Sequence, residues 1–406
     1  MHNMSIGVVV DNGFVDDVRV MNQTDYLAKQ GFKIYVFCYK PVNTNYKLHE
    51  NIQMVYIPSS SFFRKKIKAL FNLIPLFEWW WMIQLRKAIK NRSISKLHVH
   101  DLYMAKIARK AISDLDIEMI LDLHENYPIA IESYKWANKG INKYLARPWM
   151  WKKKEGEYLA YTDKLIVLSE FFKNQLLNRF DFLHKDRIAA IPNVPNLERE
   201  LSASDPLQTE KYKHVFTISY FGVISKRRGI PFVLESLEKL IKQEPEFQIK
   251  FLLIGPIDGE EQASIQKQIH RPKIAEKVQY IPWIRLDELG NYLKDVDLCI
   301  SPLEKNAQHE SGVANKIYQY MRFSKSLLVS DCTPQKMLVE SSDCGWSHIW
   351  NDQQDFVDKL IEIASNPDLL QIKGANGKSF IEEKYNFGAI GKNLVEFYQT
   401  TISPIK

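Results

Sequence analysis

The sequence predicts an α/β fold: two Rossmann-like domains facing each other across a cleft. Three observations lead there. Short apolar runs alternate with longer amphipathic stretches along the chain, the pattern of parallel strands covered by helices on both faces. That alternation resets once, after IPNVPN (191–196), where a polar segment without an apolar period (198–213) reads as a linker. The length of 406 residues exceeds one ordinary domain and suits two. The expected division is 1–197 for the N-terminal domain and 214–390 for the C-terminal domain. The helical stretch 391–406 is expected to pack back on the first.

Each strand is visible as an apolar run. In the first half these are 5–10, 33–38, 52–57, 96–100, 118–123 and 164–168. In the second they are 216–222, 248–255, 277–282, 297–302 and 326–331. Between them lie helical patterns such as 19–31, which closes on a glycine stop. The N-terminal MHNMSIGVVVDNG has no basic region followed by a long apolar core, and reads as a first strand rather than a signal peptide.

Composition narrows the function class. Apolar residues at 45% and charged residues at 25% describe a soluble globular protein. The four cysteines (38, 299, 332, 344) form no CxxC pair, so they read as isolated buried thiols of a reducing compartment rather than zinc ligands. The net charge of +7 is uneven: residues 60–110 hold 12 Lys/Arg against Glu78 and Asp101. Such a field draws anionic partners. No recognition helix, zinc finger or RNA-binding signature accompanies it, so nucleic acid is not expected. The basic run encloses ALFNLIPLFEWWWMIQL (69–85), whose Trp triplet and flanks suit a segment lying on an anionic membrane. The same residues also read as an ordinary core helix, and periodicity does not separate the two.

Ligands of open α/β sheets sit at the C-terminal ends of strands, so the loops there carry the candidates. SYFGVISKRRG (219–229) ends a strand at Gly222 and offers Lys226, Arg227 and Arg228 before a helix, a place for a diphosphate or simply a solvated basic turn. HESGVANKIYQYM (309–321) places Glu310, Gly312, Val313 and the polar pair Asn315-Lys316 ahead of or at the start of a helix. Gly312 lets backbone approach a ligand, and the helix start supplies positive potential. Glu310 suits sugar hydroxyls, or compensates a helix dipole. KLHVHD (96–101) delivers His100 and Asp101 to a strand end, and LDLHENYP (121–128) repeats the arrangement with His124 and Glu125. Gly13 lies in the glycine loop VDNGFVDDVRV (10–20) between the first strand and first helix.

Taken in order, these motifs resemble the glycosyltransferase family 4 type, retaining enzymes of the GT-B fold. HVHDLYMA and LDLHENYP look like its HxHD and HE strand ends. DKLIVLSEFFKNQLLNRF and IAAIPNVPN look like its domain-closing segments. FGVISKRRG, IPWIRLDELGNYLKDVDLCISPL and NKIYQYMRFSKSLLVSD follow in the family's order, the last similar to the NKxxEYM form of its donor-site helix. The resemblance implies a nucleotide diphosphate sugar as donor substrate. Arg228, assisted by Lys226, would face the diphosphate, with the Gly312 and Val313 amides lining it. Glu310 would face the sugar, Asn315 and Gln319 would belong to the donor site, and His100 would lie near the reacting carbon on the acceptor side. Two departures stand out. Gln319 occupies the place of a glutamate that binds the nucleotide ribose, with eight residues between it and Glu310 instead of the usual seven. Val223 stands where relatives often carry arginine.

The expected activity is therefore transfer of a sugar to a hydroxyl acceptor, possible partners being a lipid-linked acceptor and an anionic membrane surface touched by 64–92. The resemblance implies departure and attack on one face of the sugar, the leaving phosphate taking the acceptor proton. No DxD-like pair ends a strand of the donor domain, so neither a metal nor another cofactor is expected. The expected location is the cytoplasm, peripheral at the inner membrane face, with a role in surface polysaccharide or glycolipid assembly. A nucleotide-sugar epimerase of the same fold is the alternative, and a catalytically degenerate partner subunit, motivated by Gln319 and Val223, is a third reading.

Overall fold

The computed structural model describes residues 4–15, 17–42, 46–58, 74–138, 140, 142–196 and 215–400. The chain forms two compact units, one of Met1–Asn193 with Ile390–Lys406 and one of Val194–Ala389. The linker expected at 198–213, the basic residues Arg64 to Lys68, and Phe71 and Leu73 fall outside the described residues.

Among the described residues, the first unit carries a seven-stranded sheet in which every paired neighbour is parallel. Its strands are β1 (Ser5–Val9), β2 (Lys33–Cys38), β3 (Ile52–Tyr56), β4 (Lys96–His100), β5 (Glu118–Asp122), β6 (Lys164–Val167) and β7 (Ile188–Ala190), in the order β3-β2-β1-β4-β5-β6-β7. The second unit has a six-stranded sheet ordered β10-β9-β8-β11-β12-β13. Here the strands are β8 (Phe216–Phe221), β9 (Ile249–Ile254), β10 (Val278–Ile281), β11 (Leu298–Ser301), β12 (Ser326–Ser330) and β13 (Gly345–His348). The inner strands are buried along nearly their whole length, which is why they read as continuous apolar runs. Two strands that the sequence does not announce, β7 and β13, are short edge strands, and β13 (GWSH) is half-buried for most of its length.

In each sheet the order reverses direction once: between β1 and β4 in the first, and between β8 and β11 in the second. A crevice opens there at the C-terminal ends of the strands, the usual ligand position in doubly wound sheets.

The segment with the Trp triplet is a helix, Leu76–Ile89. Phe77, Trp81, Leu85 and Ile89 recur every four residues and are buried in the first unit's core. The Trp81 indole N–H donates to Tyr39 Oη at 2.7 Å, and Tyr158 Oη donates to Glu78 at 2.7 Å. This helix is thus a core element along one face, while Ile74, Leu76 and Trp79 near its start stay exposed. No helix among the described residues is long and apolar enough to cross a membrane.

All four cysteines are free and buried. Burial pushes the Cys38 and Cys332 thiols up to about 12 and Cys344 to about 11, so they are inert protonated core residues.

Candidate functional site

The second unit concentrates positive charge at its switch point. Strand β8 ends at Phe221, and Gly222 follows with φ of 128°, a backbone conformation that favours glycine. A single 3₁₀ turn, Lys226–Arg228, leads to Gly229 and the helix Ile230–Gln243. Gly229 has φ of 79°, and a Cβ there would lie 1.7 Å from the Pro302 carbonyl oxygen. Only glycine lets the basic turn sit against the end of β11. The Glu304 amide then donates to the Arg227 carbonyl at 3.1 Å, joining the two loops. Arg228 is half-buried in this junction; burial, together with Arg227 and against Tyr220, draws its guanidinium below the ordinary value. Lys226 points its side chain to solvent, while its amide donates to Glu261 Oε2 at 2.5 Å.

The loop after β11 adds a histidine that the sequence reading did not select. His309 Nδ1 lies 2.6 Å from the Glu304 carbonyl oxygen and must donate to it, since that oxygen only accepts. Its Nε2 is buried with no hydrogen-bond partner. Burial pulls the His309 imidazole down to about 4, and the charges of Arg228, Arg227 and Lys316 act in the same direction.

Glu310 does one of the two things foreseen for it. Its Oε1 accepts from the Thr333 amide at 2.9 Å, at the start of the helix Thr333–Ser341, so it compensates a helix N-terminus, that of the following helix. Gly312 is fully extended at φ −175° and ψ 179°, a conformation open to any residue. Val313 is half-buried, and Asn315 is the exposed first residue of the helix Asn315–Arg322. Gln319 is half-buried on that helix. The structure therefore gathers Arg228, His309 and Lys316 at one strand-end crevice, whereas Lys226 and Asn315 face outward there.

The first unit has a different character at its own switch point. The helix Val18–Lys29 is capped by Asp17, which accepts from the Val20 amide at 3.2 Å. That cap fixes the first turn, which sends Arg19 inward to Asp122 at the end of β5. The guanidinium is bidentate, with Nε 3.1 Å from Oδ2 and Nη2 2.7 Å from Oδ1. Gln23 Nε2 donates to the same carboxylate at 2.8 Å. Burial alone would raise the Asp122 carboxyl, but Arg19 and the neighbouring histidines hold it well below the carboxylate range. His98, His100 and Asp122 offer ligand-type atoms within 4.8 Å of one another. Since Arg19 already neutralises the carboxylate, this trio is organised as a buried ion pair with neutral imidazoles, and a dication there would face the guanidinium.

His100 is only 1% exposed and shares a hydrogen bond of 2.8 Å with His124 Nε2. Burial first, then His98 and His124, hold His100 well below the ordinary histidine value. The imidazole that reaches the surface is His124, with its side chain 18% exposed and Nδ1 3.9 Å from Asp101 and 4.0 Å from Asp17. His100 thus backs the exposed ring instead of presenting itself. Gly13 lies in the loop after β1, where a Cβ would come within 3.2 Å of Pro41 Cα. This hydrogen-bonding rim of carboxylates and imidazole suits a hydroxyl compound, while the second unit suits an anion.

Comparison with known proteins matches the two parts of the chain to two family models. The model for Glycosyltransferase Family 4 matches residues 17–199, and that for Glycosyl transferases group 1 matches residues 215–366. The chain belongs to the family 4 type of glycosyltransferase. Among curated proteins, this glycosyltransferase is 21% identical over 242 residues to an uncharacterized glycosyltransferase of Methanocaldococcus jannaschii, a match that spans 59% of either length. A solved glycosyltransferase from Rickettsia africae is similar with a TM-score of 0.74 at 16% identity, over 98% of both chains. Sucrose-phosphate synthase from Thermosynechococcus elongatus gives 0.71 at 15% identity, also over 98% of both. Anabaena HepE in complex with UDP gives 0.69 at 12% identity, over 97% of this chain and 99% of that one. At these identities the likeness is one of fold, the α/β two-domain GT-B type.

Proposed function

We propose that this glycosyltransferase moves a sugar from a nucleoside diphosphate sugar to a hydroxyl acceptor with retention of configuration. The observation that carries the reading is the group of basic side chains at the β8/β11 switch point. Arg228 and Lys316 stand there without a carboxylate partner among the described residues. Support also comes from similar folds solved with UDP in Anabaena HepE, and with UDP-2-fluoro glucose in a trehalose-6-phosphate protein of Escherichia coli.

A nucleoside diphosphate is already a competent leaving group. What the chain must supply is stabilisation of the charge that grows on it as the glycosidic bond breaks, from fixed donors in a partly dry site. Arg228, half-buried and charged, does this best. The Gly312 and Val313 amides precede a helix N-terminus and add donors on the same side. Glu310, with one oxygen committed to Thr333, keeps the other for a sugar hydroxyl. On the first unit, His124 with Asp17 and Asp101 around it would orient the acceptor hydroxyl, and the departing phosphate would take its proton. Arg228→Ala should lower turnover and diphosphate affinity together, by roughly 2–4 kcal/mol. Transfer assays with radiolabelled nucleotide sugars, run alongside calorimetry with UDP and GDP, measure both. Turnover within a few-fold of the parent would remove Arg228 from the site.

We further infer peripheral attachment to an anionic membrane, bringing the enzyme to a lipid-linked acceptor in surface polysaccharide or glycolipid assembly. The supporting observation is the exposed set Ile74, Leu76 and Trp79, with the exposed Lys87 and Lys90 on the same helix region. Apolar insertion plus about 1 kcal/mol per basic residue near the surface gives reversible binding. Vesicles containing anionic lipid should co-sediment the protein at low salt, and Trp79→Ser should weaken this. No binding to anionic vesicles at low salt would leave a soluble acceptor as the better reading.

A further inference from the structure

Lys316 is a buried lysine without an acidic partner among the described residues. It is only 8% exposed, and its Nζ lies 3.4 Å from the centroid of the Tyr220 ring. Among the described residues it makes neither a hydrogen bond nor an ion pair. Its surroundings carry charge of the same sign. Burial first and then the Arg228 guanidinium hold the lysine well below its ordinary value, and no carboxylate acts against them. Lys316 is also the second residue of the helix Asn315–Arg322, so its ammonium sits at the positive end of a helix dipole.

Burial, the like charge of Arg228 and the helix dipole all oppose keeping an ammonium there in the free protein. The ring of Tyr220 offers partial relief through its face. Yet a methionine would fill the same space against the same ring with no charge to bury. A side chain that costs stability in the free protein is explained by something that arrives. Gly222 leaves the way open for it: a Cβ at that position would lie 3.3 Å from Lys316 Nζ, and the glycine's φ of 128° excludes an easy replacement.

We infer that Lys316 is a binding residue for the diphosphate of the donor, its ammonium meeting one phosphate oxygen beside Gly222 while Arg228 meets another. This rests on reading the second unit as a nucleotide-sugar site. It assigns the lysine of the Asn-Lys pair, rather than the outward-facing Asn315, to the anion. Tyr220 is then the support that holds the ammonium in place: its hydroxyl donates to the Val223 carbonyl at 2.7 Å, fixing the ring under Nζ.

The experiment uses the full chain with Lys316→Met and Lys316→Gln. Affinity for UDP, GDP, ADP and inorganic pyrophosphate is measured by calorimetry, and the melting temperature is measured without ligand. Affinity for whichever of these the parent binds should fall about tenfold to a hundredfold in Lys316→Met. The ligand-free melting temperature should rise by about 2–4 °C, because a buried unpaired charge has gone. A merely structural lysine predicts the opposite sign. A lower melting temperature with unchanged affinity overturns the assignment, as does failure of both variants to fold. A parent that binds none of the four probes overturns the reading of the site itself, and the assignment with it. A parent that binds them as tightly as Lys316→Met does overturns the assignment alone.

Discussion

Acidification from pH 7 to pH 4 should cost the protein several kcal/mol of stability, with most of the loss above pH 4. The cause is buried neutral imidazole. Burial holds His309 and His348 at about 4, against an ordinary value of 6.5. His348 stacks on Phe232 with ring centroids 5.5 Å apart and has a buried Nε2 without a partner, and its burial outweighs the opposing pull of the Ile349 carbonyl and of Asp355, Asp331 and Asp352. Between pH 6.5 and 4 the unfolded chain binds protons that the folded one refuses. Stability is therefore complete above 6.5 and is lost as the pH falls through about 4. Each group contributes about 3 kcal/mol by pH 4. Burial also lowers His98 and His100, which add in the same direction. Glu155, raised by its own burial against the pull of Arg179, works the other way, but it is one group against four. Asp122 is held well below 3.8, so its loss falls at still lower pH and does not blur the window. Urea unfolding at a series of pH values is the measurement. His348→Phe should flatten part of the slope, and an equal midpoint at pH 7 and pH 4.5 would refute the assignment of buried neutral rings.

Asp122→Ala should destabilise the first unit by roughly 3–5 kcal/mol. The substitution leaves the Arg19 guanidinium buried with one remaining contact among those described, Nη1 to the Ile191 carbonyl at 2.8 Å. The cost is that of an orphaned charge rather than of a lost bond. The double variant Arg19→Met/Asp122→Leu should recover most of it, since both charges then disappear together. Hydrogen exchange of amides in β4 and β5 reports the first unit by itself. Unchanged protection in Asp122→Ala would mean that the pair bears no load in the fold.

The two predictions turn on residues that the sequence only half revealed. The inner strands were legible because parallel strands buried on both faces become apolar runs, and β2 and β4 span the residues expected from the sequence. Strands β7 and β13 were not, because short edge strands need little apolar content. The candidate site shows the same split. Arg228 was visible as a basic residue at a strand-to-helix turn, and its place beside the end of β11 follows from Gly229. His309 and Lys316 carry no such mark: both sit in a stretch that drew notice, but Lys316 packs on Tyr220, remote in sequence, and His309 turns back onto the Glu304 carbonyl through a loop whose path the sequence does not give. His100 misled for a related reason. Strand alternation indicates that its side chain leaves one face of the sheet, but not that His124 would cover it. Glu310 was open to two readings from its type alone, and the Thr333 amide that it meets lies on the far side of β12.

The final helix, Phe387–Gln399, gives its residues from Ile390 onward to the first unit. There Tyr398 Oη and His98 Nδ1 lie 2.6 Å apart, and Lys164 Nζ donates to the Phe397 carbonyl at 2.9 Å. This arrangement sets an order on biosynthesis. As the chain emerges from the ribosome, the sheet of the first unit is complete near residue 190, yet His98 lacks Tyr398, and Lys164 the Phe397 carbonyl, until the last helix appears some two hundred residues later. The second unit, continuous in sequence, can fold in the interval. Nascent chains therefore hold an unfinished surface around β4 and β6 for the whole synthesis of the second unit, the period in which a chaperone would have most to bind.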